Sequence, residues 1–174
     1  EKIRKSVSIF GRLFNNVYVL RKDSNGNVIS QLKVPLAYAP KQKYLERIRE
    51  NPNLENDTRV ALKLPRMSFE ITNISYDLTR QLAKVSNFAT LGTGVGNRQK
   101  FYSPVPYNLD FQLNIFAKSQ DDALQMVEQI LPTFNPQYTL SIKPFPVEYP
   151  TFVEDIPIVI QGVSLTLKKV DSTQ

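Results

Sequence analysis

At 174 residues, with 41% hydrophobic and 22% charged side chains, the sequence has the make-up of one domain with a genuine apolar core, not of a disordered chain. It contains no cysteine and no histidine, which removes disulfides, thiolate metal sites, the commonest zinc ligands and the Cys/His and Ser/His nucleophile pairs, and so argues against an enzyme. The net charge of +6 is unevenly placed: residues 1–50 hold 11 Lys/Arg against 4 Asp/Glu, residues 51–106 hold 7 against 4, and residues 107–174 hold 4 against 8.

A basic first half and an acidic last third fit three arrangements: a polyanion bound at one end, copies docked head to tail in a ring, or plain solvated surface. No apolar run approaches the ~20 residues that a membrane-spanning helix needs, and a membrane partner is not expected. No signal-peptide pattern is present, and since the first residue is Glu1 rather than Met nothing about targeting follows.

Ile3, Val7, Phe10, Leu13 and Phe14 fall on one helical face, with Lys2, Arg4, Lys5 and Arg12 on the others, which predicts an amphipathic helix over 2–14; packing on the protein's own sheet is favoured over a membrane-surface helix, which the basic polar face would also allow. Val17–Arg21 and Val28–Val34 flank Ser24-Asn25-Gly26-Asn27, and Asn-Gly between short β runs signals a hairpin. Between Pro35 and Pro40 the chain reads as an extended connection, and Lys41 to about Arg49 as a short helix with Tyr44, Leu45 and Ile48 inward. Arg59–Leu64 and Met67–Tyr76 are extended runs; in the second the apolar parity changes after Asn73, suggesting a bulge or a change of surroundings.

Residues 78–106 break the pattern. The segment has no acidic residue, carries Arg80, Lys84, Arg98 and Lys100, and holds Gly92, Gly94 and Gly96. The Walker spacing is absent, so a phosphate-binding reading of the glycines is weak and no cofactor is expected. The segment is read instead as an extended basic, Gly-rich arm or loop that orders on a neighbouring subunit, with those seven residues as the candidate contacts; a merely mobile loop is the plainer alternative.

From Tyr107 to Ala117 the odd positions are apolar and the even ones polar except Phe116, which predicts a strand with its odd face buried. Ser119 then stands at an N-cap position with Asp122 three residues on, and Ala123, Leu124, Val127, Ile130 and Leu131 form the expected buried stripe of a helix stopped by Pro132. Asp121-Asp122 is the tightest acidic pair, assigned to free N–H groups at the helix start, and Glu154-Asp155 to a polar turn; neither has a partner recognisable as a nucleophile or metal ligand. Tyr138–Lys143 and Ile156–Leu167 read as the last strands, with glycine at Gly162 marking a parity change in the second. The order α, β-hairpin, α, β, β, α, β, β describes a single α+β domain over 1–174 with a mainly antiparallel twisted sheet and helices packed on one face.

Several of these stretches resemble the tail sheath stabilisers, or sheath terminators, of T-even-like contractile-tailed bacteriophages. They are Val34-Pro35-Leu36-Ala37-Tyr38-Ala39-Pro40-Lys41, Leu64-Pro65-Arg66-Met67 leading to Ile74-Ser75-Tyr76-Asp77, and above all Asp121-Asp122 followed by Gln125-Met126-Val127-Glu128-Gln129-Ile130-Leu131-Pro132 and Phe134. Arg4 to Val19 and Asp155-Ile156-Pro157-Ile158-Val159 also fit. The Gly-rich part of 78–106 matches poorly, so its assignment rests on its own residues. The resemblance implies a tail-terminator-like fold and a structural virion protein without catalysis or cofactor. It implies assembly in the host cytoplasm as a homo-oligomer, a hexameric ring at the tail–neck junction. There the ring would cap the last sheath ring and meet the tail sheath protein, the tail tube or tube terminator protein and the neck or head-completion proteins. DNA would at most pass through its lumen. A tail tube terminator or other neck ring protein is the nearest alternative, and a basic DNA-contacting connector protein a remoter one.

Overall fold

The computed structural model describes residues 2–50, 64–80, 87–91, 98–102, 105–134, 137–143, 151 and 153–164. These form α1 (Lys2–Leu13), β1 (Tyr18–Lys22), β2 (Val28–Lys33), β3 (Leu36–Tyr38), α2 (Lys41–Glu50), β4 (Arg66–Tyr76), β5 (Asn87–Leu91), β6 (Arg98–Tyr102), β7 (Tyr107–Phe116), α3 (Gln120–Ile130), β8 (Gln137–Ile142) and β9 (Glu154–Val159), with 3-10 turns at Leu78–Arg80 and Leu131–Thr133. The pairs β1–β2, β5–β6 and β8–β9 are antiparallel, while β3 lies parallel to β4 in the sheet β3-β4-β7. The fold is α+β and predominantly antiparallel. The chain divides into two compact units, Glu1–Phe69 with Leu113–Gln174, and Glu70–Gln112.

In the first unit, α1 presents Phe10 and Gly11 inward. Phe10 meets Phe14 and Phe69 with ring centroids 4.9 and 5.2 Å apart, and Phe14 stacks on Phe134 at 6.0 Å. A Cβ at Gly11 would stand 3.1 Å from Phe69 Cζ, so the absence of a side chain there is what lets the helix come this close to β4. The Asn-Gly hairpin forms as expected: Gly26 takes a φ of 84°, and the Asp23 carboxylate accepts from the Asn25 and Asn27 N–H groups at 2.9 and 2.8 Å.

The segment between Pro35 and Pro40 is not a bare connection. Leu36, Ala37 and Tyr38 pair with Met67, Ser68 and Phe69, and α2 makes the crossover between the parallel strands. A strand of three residues is too short to show alternation. Tyr44 of α2 packs with Ala39 and Phe116 in a buried cluster flanked by Leu45, Ile48 and Leu64, and the Arg66 guanidinium lies 5.5 Å from the Tyr44 ring centroid.

Three expectations about faces and ends need correction. On β7 the buried residues are Asn114 and Phe116, the even set, while Leu113 and Ile115 are half-buried. Phe116, the apolar exception in the alternation, is therefore a core residue whose ring lies 5.4 Å from that of Tyr44. On α3 the buried residues are Asp122, Met126 and Ile130, whereas Leu124 and Leu131 are exposed. The helix is rotated from the apolar stripe so that Asp122 lies inside, where it pairs with Arg21 as described below. The last strand starts at Glu154 and ends at Val159, before Gly162; residues 165–167 and the run Arg59–Lys63 lie outside the described residues. Along β4, Met67, Ser68 and Phe69 are all buried and burial then falls away, so the parity change near Asn73 accompanies a change of surroundings.

Candidate interaction surfaces

Helix α3 is fixed to the first hairpin by polar side chains. Ser119 Oγ caps it by accepting the Asp122 N–H at 3.2 Å. The Asp122 carboxylate itself does not cap; it turns to β1, where Arg21 Nη1 and Nη2 donate to its two oxygens at 2.7 and 2.8 Å. Asp122 is 1% exposed and Arg21 47%, so a fully dehydrated carboxylate is held by a cation that is half in water.

One and two turns further on, Gln125 and Gln129 lie along the edge of β1 that faces away from β2. The Leu20 N–H donates to Gln125 Oε1 and the Tyr18 N–H to Gln129 Oε1, both at 3.0 Å. Their Nε2 groups donate back to the carbonyls of Leu20 and Tyr18 at 3.4 and 2.6 Å. A primary amide carries a donor and an acceptor like a peptide, and the i, i+4 rise of a helix is close to the two-residue repeat of a strand. Two glutamines thus stand in for a neighbouring strand and close an edge that would otherwise be open to pairing. The other strand of the hairpin has no such cover: β2 is exposed along its whole length, and among the described residues it pairs only with β1.

The second unit carries a polar knot and an apolar face. The Asp77 N–H donates to the Pro106 carbonyl at 3.1 Å. The Asp77 carboxylate accepts from the Thr79 hydroxyl and N–H at 2.6 and 3.0 Å and from Arg80 Nε at 2.5 Å, while Arg80 Nη2 donates to Asn108 Oδ1 at 2.9 Å. The Thr79 hydroxyl bond first, and the Arg80 guanidinium next, lower the Asp77 carboxyl from 3.8 to about 2. Beside this knot the Tyr76 and Tyr107 rings meet edge to face at 5.7 Å. Ile74, Tyr76, Leu78, Val105 and Tyr107 are 48, 40, 73, 58 and 56% exposed.

Of the seven residues singled out in the sequence, Arg80 is engaged within its own chain, as just described, by Asp77 and Asn108. Arg98 and Lys100 stand on β6, opposite Leu91 and Ala89 of β5. Lys84, Gly92, Gly94 and Gly96 lie outside the described residues. Within the 78–106 segment, Asn87–Leu91 and Arg98–Tyr102 are therefore antiparallel strands, β5 paired with β6. Sequence reasoning passed over Arg21, Gln125, Gln129 and the exposed tyrosines. An acidic residue at N3 of a helix beside glutamines at i+3 and i+7 is a usable sign of side-chain contacts with a strand, but their target appears only in three dimensions.

Among the described residues no cluster of three or more acidic side chains is placed to hold a metal ion. No described helix is long and apolar enough to cross a membrane. The chain belongs to the T4-like virus Myoviridae tail sheath stabiliser family, whose model matches residues 1–173. It is similar to the tail completion protein gp15 of Enterobacteria phage T4, 28% identical over 166 residues that cover 93% of this chain and 60% of that protein. The chain thus spans 60% of the length of the curated relative that it matches.

Proposed function

We propose that the chain is one subunit of a hexameric ring at the head-proximal end of a contractile tail, where it caps the last sheath ring, holds the sheath extended and joins the tail to the neck. Its partners in this reading are further copies of itself, the tail sheath protein, the tube or its terminator, and the neck or head-completion proteins. The observation that carries it is family membership over residues 1–173, joined to the tail-completion name of the T4 relative. The charge distribution supports it: head-to-tail copies would set the basic 78–106 segment, with Arg80, Lys84, Arg98 and Lys100, near the acidic last third of a neighbour. The whole of 1–174 then works as one subunit, with Gly92, Gly94 and Gly96 among its proposed contacts with the neighbour.

Negative-stain microscopy of the purified protein tests the ring directly. Closed sixfold particles are expected; a monodisperse monomer at micromolar concentration contradicts the proposal.

A further inference from the structure

The cluster of Ile74, Tyr76, Leu78, Val105 and Tyr107 is used by nothing else in the described structure. Ile74 and Tyr76 share one face of β4 by their two-residue spacing. Tyr107 opens β7 with its ring against Tyr76. Leu78 and Val105 follow just past the Asp77–Pro106 hydrogen bond that joins the two chain segments. The five side chains thus crowd around a single rung, and each is at least 40% exposed.

Taking an aromatic side chain as roughly 150–250 Å², the cluster presents on the order of 500 Å² of mostly apolar surface. Monomeric proteins rarely leave more than a few hundred Å² of contiguous apolar surface in water. The smallest standard interfaces bury about 600 Å² on each partner, so this face is of the size needed for the centre of a stable contact. Two tyrosines with an aliphatic surround are also the composition found at interface cores.

We infer that this face is the apolar centre of the contact between one copy of the chain and the next. Charge selects that occupant. The face is flanked in sequence by residues 78–106, which carry four Lys/Arg, Arg80 among them paired with Asp77, and no Asp/Glu. Residues 107–174 of a second copy carry 8 Asp/Glu, Asp122 among them paired with Arg21, against 4 Lys/Arg. A head-to-tail contact brings opposite signs together around the apolar centre and gives the pairing its direction. This inference rests on the ring reading above and adds the residues that hold the ring together.

The test is sedimentation velocity of the full chain over a range of concentrations, for wild type, Leu78→Glu, the double variant Tyr76→Ser with Tyr107→Ser, and the control Ile29→Glu on exposed β2. Leu78 and Ile29 are 73 and 69% exposed, so both single variants should fold, with a urea midpoint like that of wild type. Leu78→Glu is expected to raise the subunit dissociation constant at least about tenfold and the double variant more, while Ile29→Glu stays within about twofold. A wild type that is monomeric throughout overturns the ring reading and this inference with it. An oligomeric wild type whose assembly survives Leu78→Glu overturns the inference alone, as does one broken only by Ile29→Glu. An oligomer that survives Leu78→Glu but loses purified sheath protein moves the face to the sheath and also overturns it.

Discussion

Replacing Arg21 with alanine strands the Asp122 carboxylate in a place where it is 1% exposed. The two N–H···O bonds at 2.7 and 2.8 Å are lost together. Breaking a fully buried pair from one side costs about 3–5 kcal/mol. Arg21 is half exposed, so water already screens part of the attraction, and Arg21→Ala is expected to cost about 2–3 kcal/mol. Asp122→Ala removes the buried charge as well and should cost less. The double variant should then recover part of the loss, giving a coupling energy of about 1.5–2.5 kcal/mol in a double-mutant cycle. Urea unfolding followed by circular dichroism reads these values, with the slope m unchanged if only stability is altered. An Arg21→Ala loss below about 0.5 kcal/mol, or a coupling near zero, would refute the view that the ion pair sets the rotation of α3.

Gly11→Ala should destabilise in spite of the roughly 1 kcal/mol that alanine gains in a helix, because the new Cβ meets a Phe69 ring already held by Phe10 and Tyr38. A rise in thermal midpoint would show that Phe69 can yield. Asp77 has its folded pKa lowered from 3.8 to about 2, so its contribution is present above pH 4 and fades as pH falls through that interval. Carboxyl-carbon NMR should find a midpoint near 2, and a midpoint near 4 would contradict the Thr79 and Arg80 bonds. Reversing Arg80, Lys84, Arg98 and Lys100 together to Glu should weaken ring formation, and rings that still sediment intact at ordinary salt would remove the basic segment from the contact.

Local chemistry made several elements readable. The i, i+3, i+4 stripe of α1, the Asn25-Gly26 turn and the Ser119 cap depend on residues near one another in sequence, and each falls where it was expected, apart from Ile3 at the start of the stripe, which is 51% exposed. The segment 36–38 could not be read as a strand because its identity comes from Met67, Ser68 and Phe69, thirty residues away. The β5–β6 hairpin was hidden for a similar reason: Asn87–Leu91 and Arg98–Tyr102 do not alternate cleanly, and their pairing is set by each other. On α3 and β7 the period was right and the phase was wrong. Phase depends on what covers each face, and an apolar count does not foresee an aspartate buried by an arginine a hundred residues earlier or a phenylalanine seated on Tyr44. The arm residues were singled out for charge, whereas the structure draws attention to the tyrosines and leucine beside them.

The account stands or falls on whether this chain keeps a contractile sheath extended. Tails assembled without it, imaged in negative stain beside tails to which purified protein has been added back, test that most directly. Shortened or unravelled sheaths that regain full length on addition are the expected result. Sheaths of full length in its absence, joined normally to heads, would contradict it.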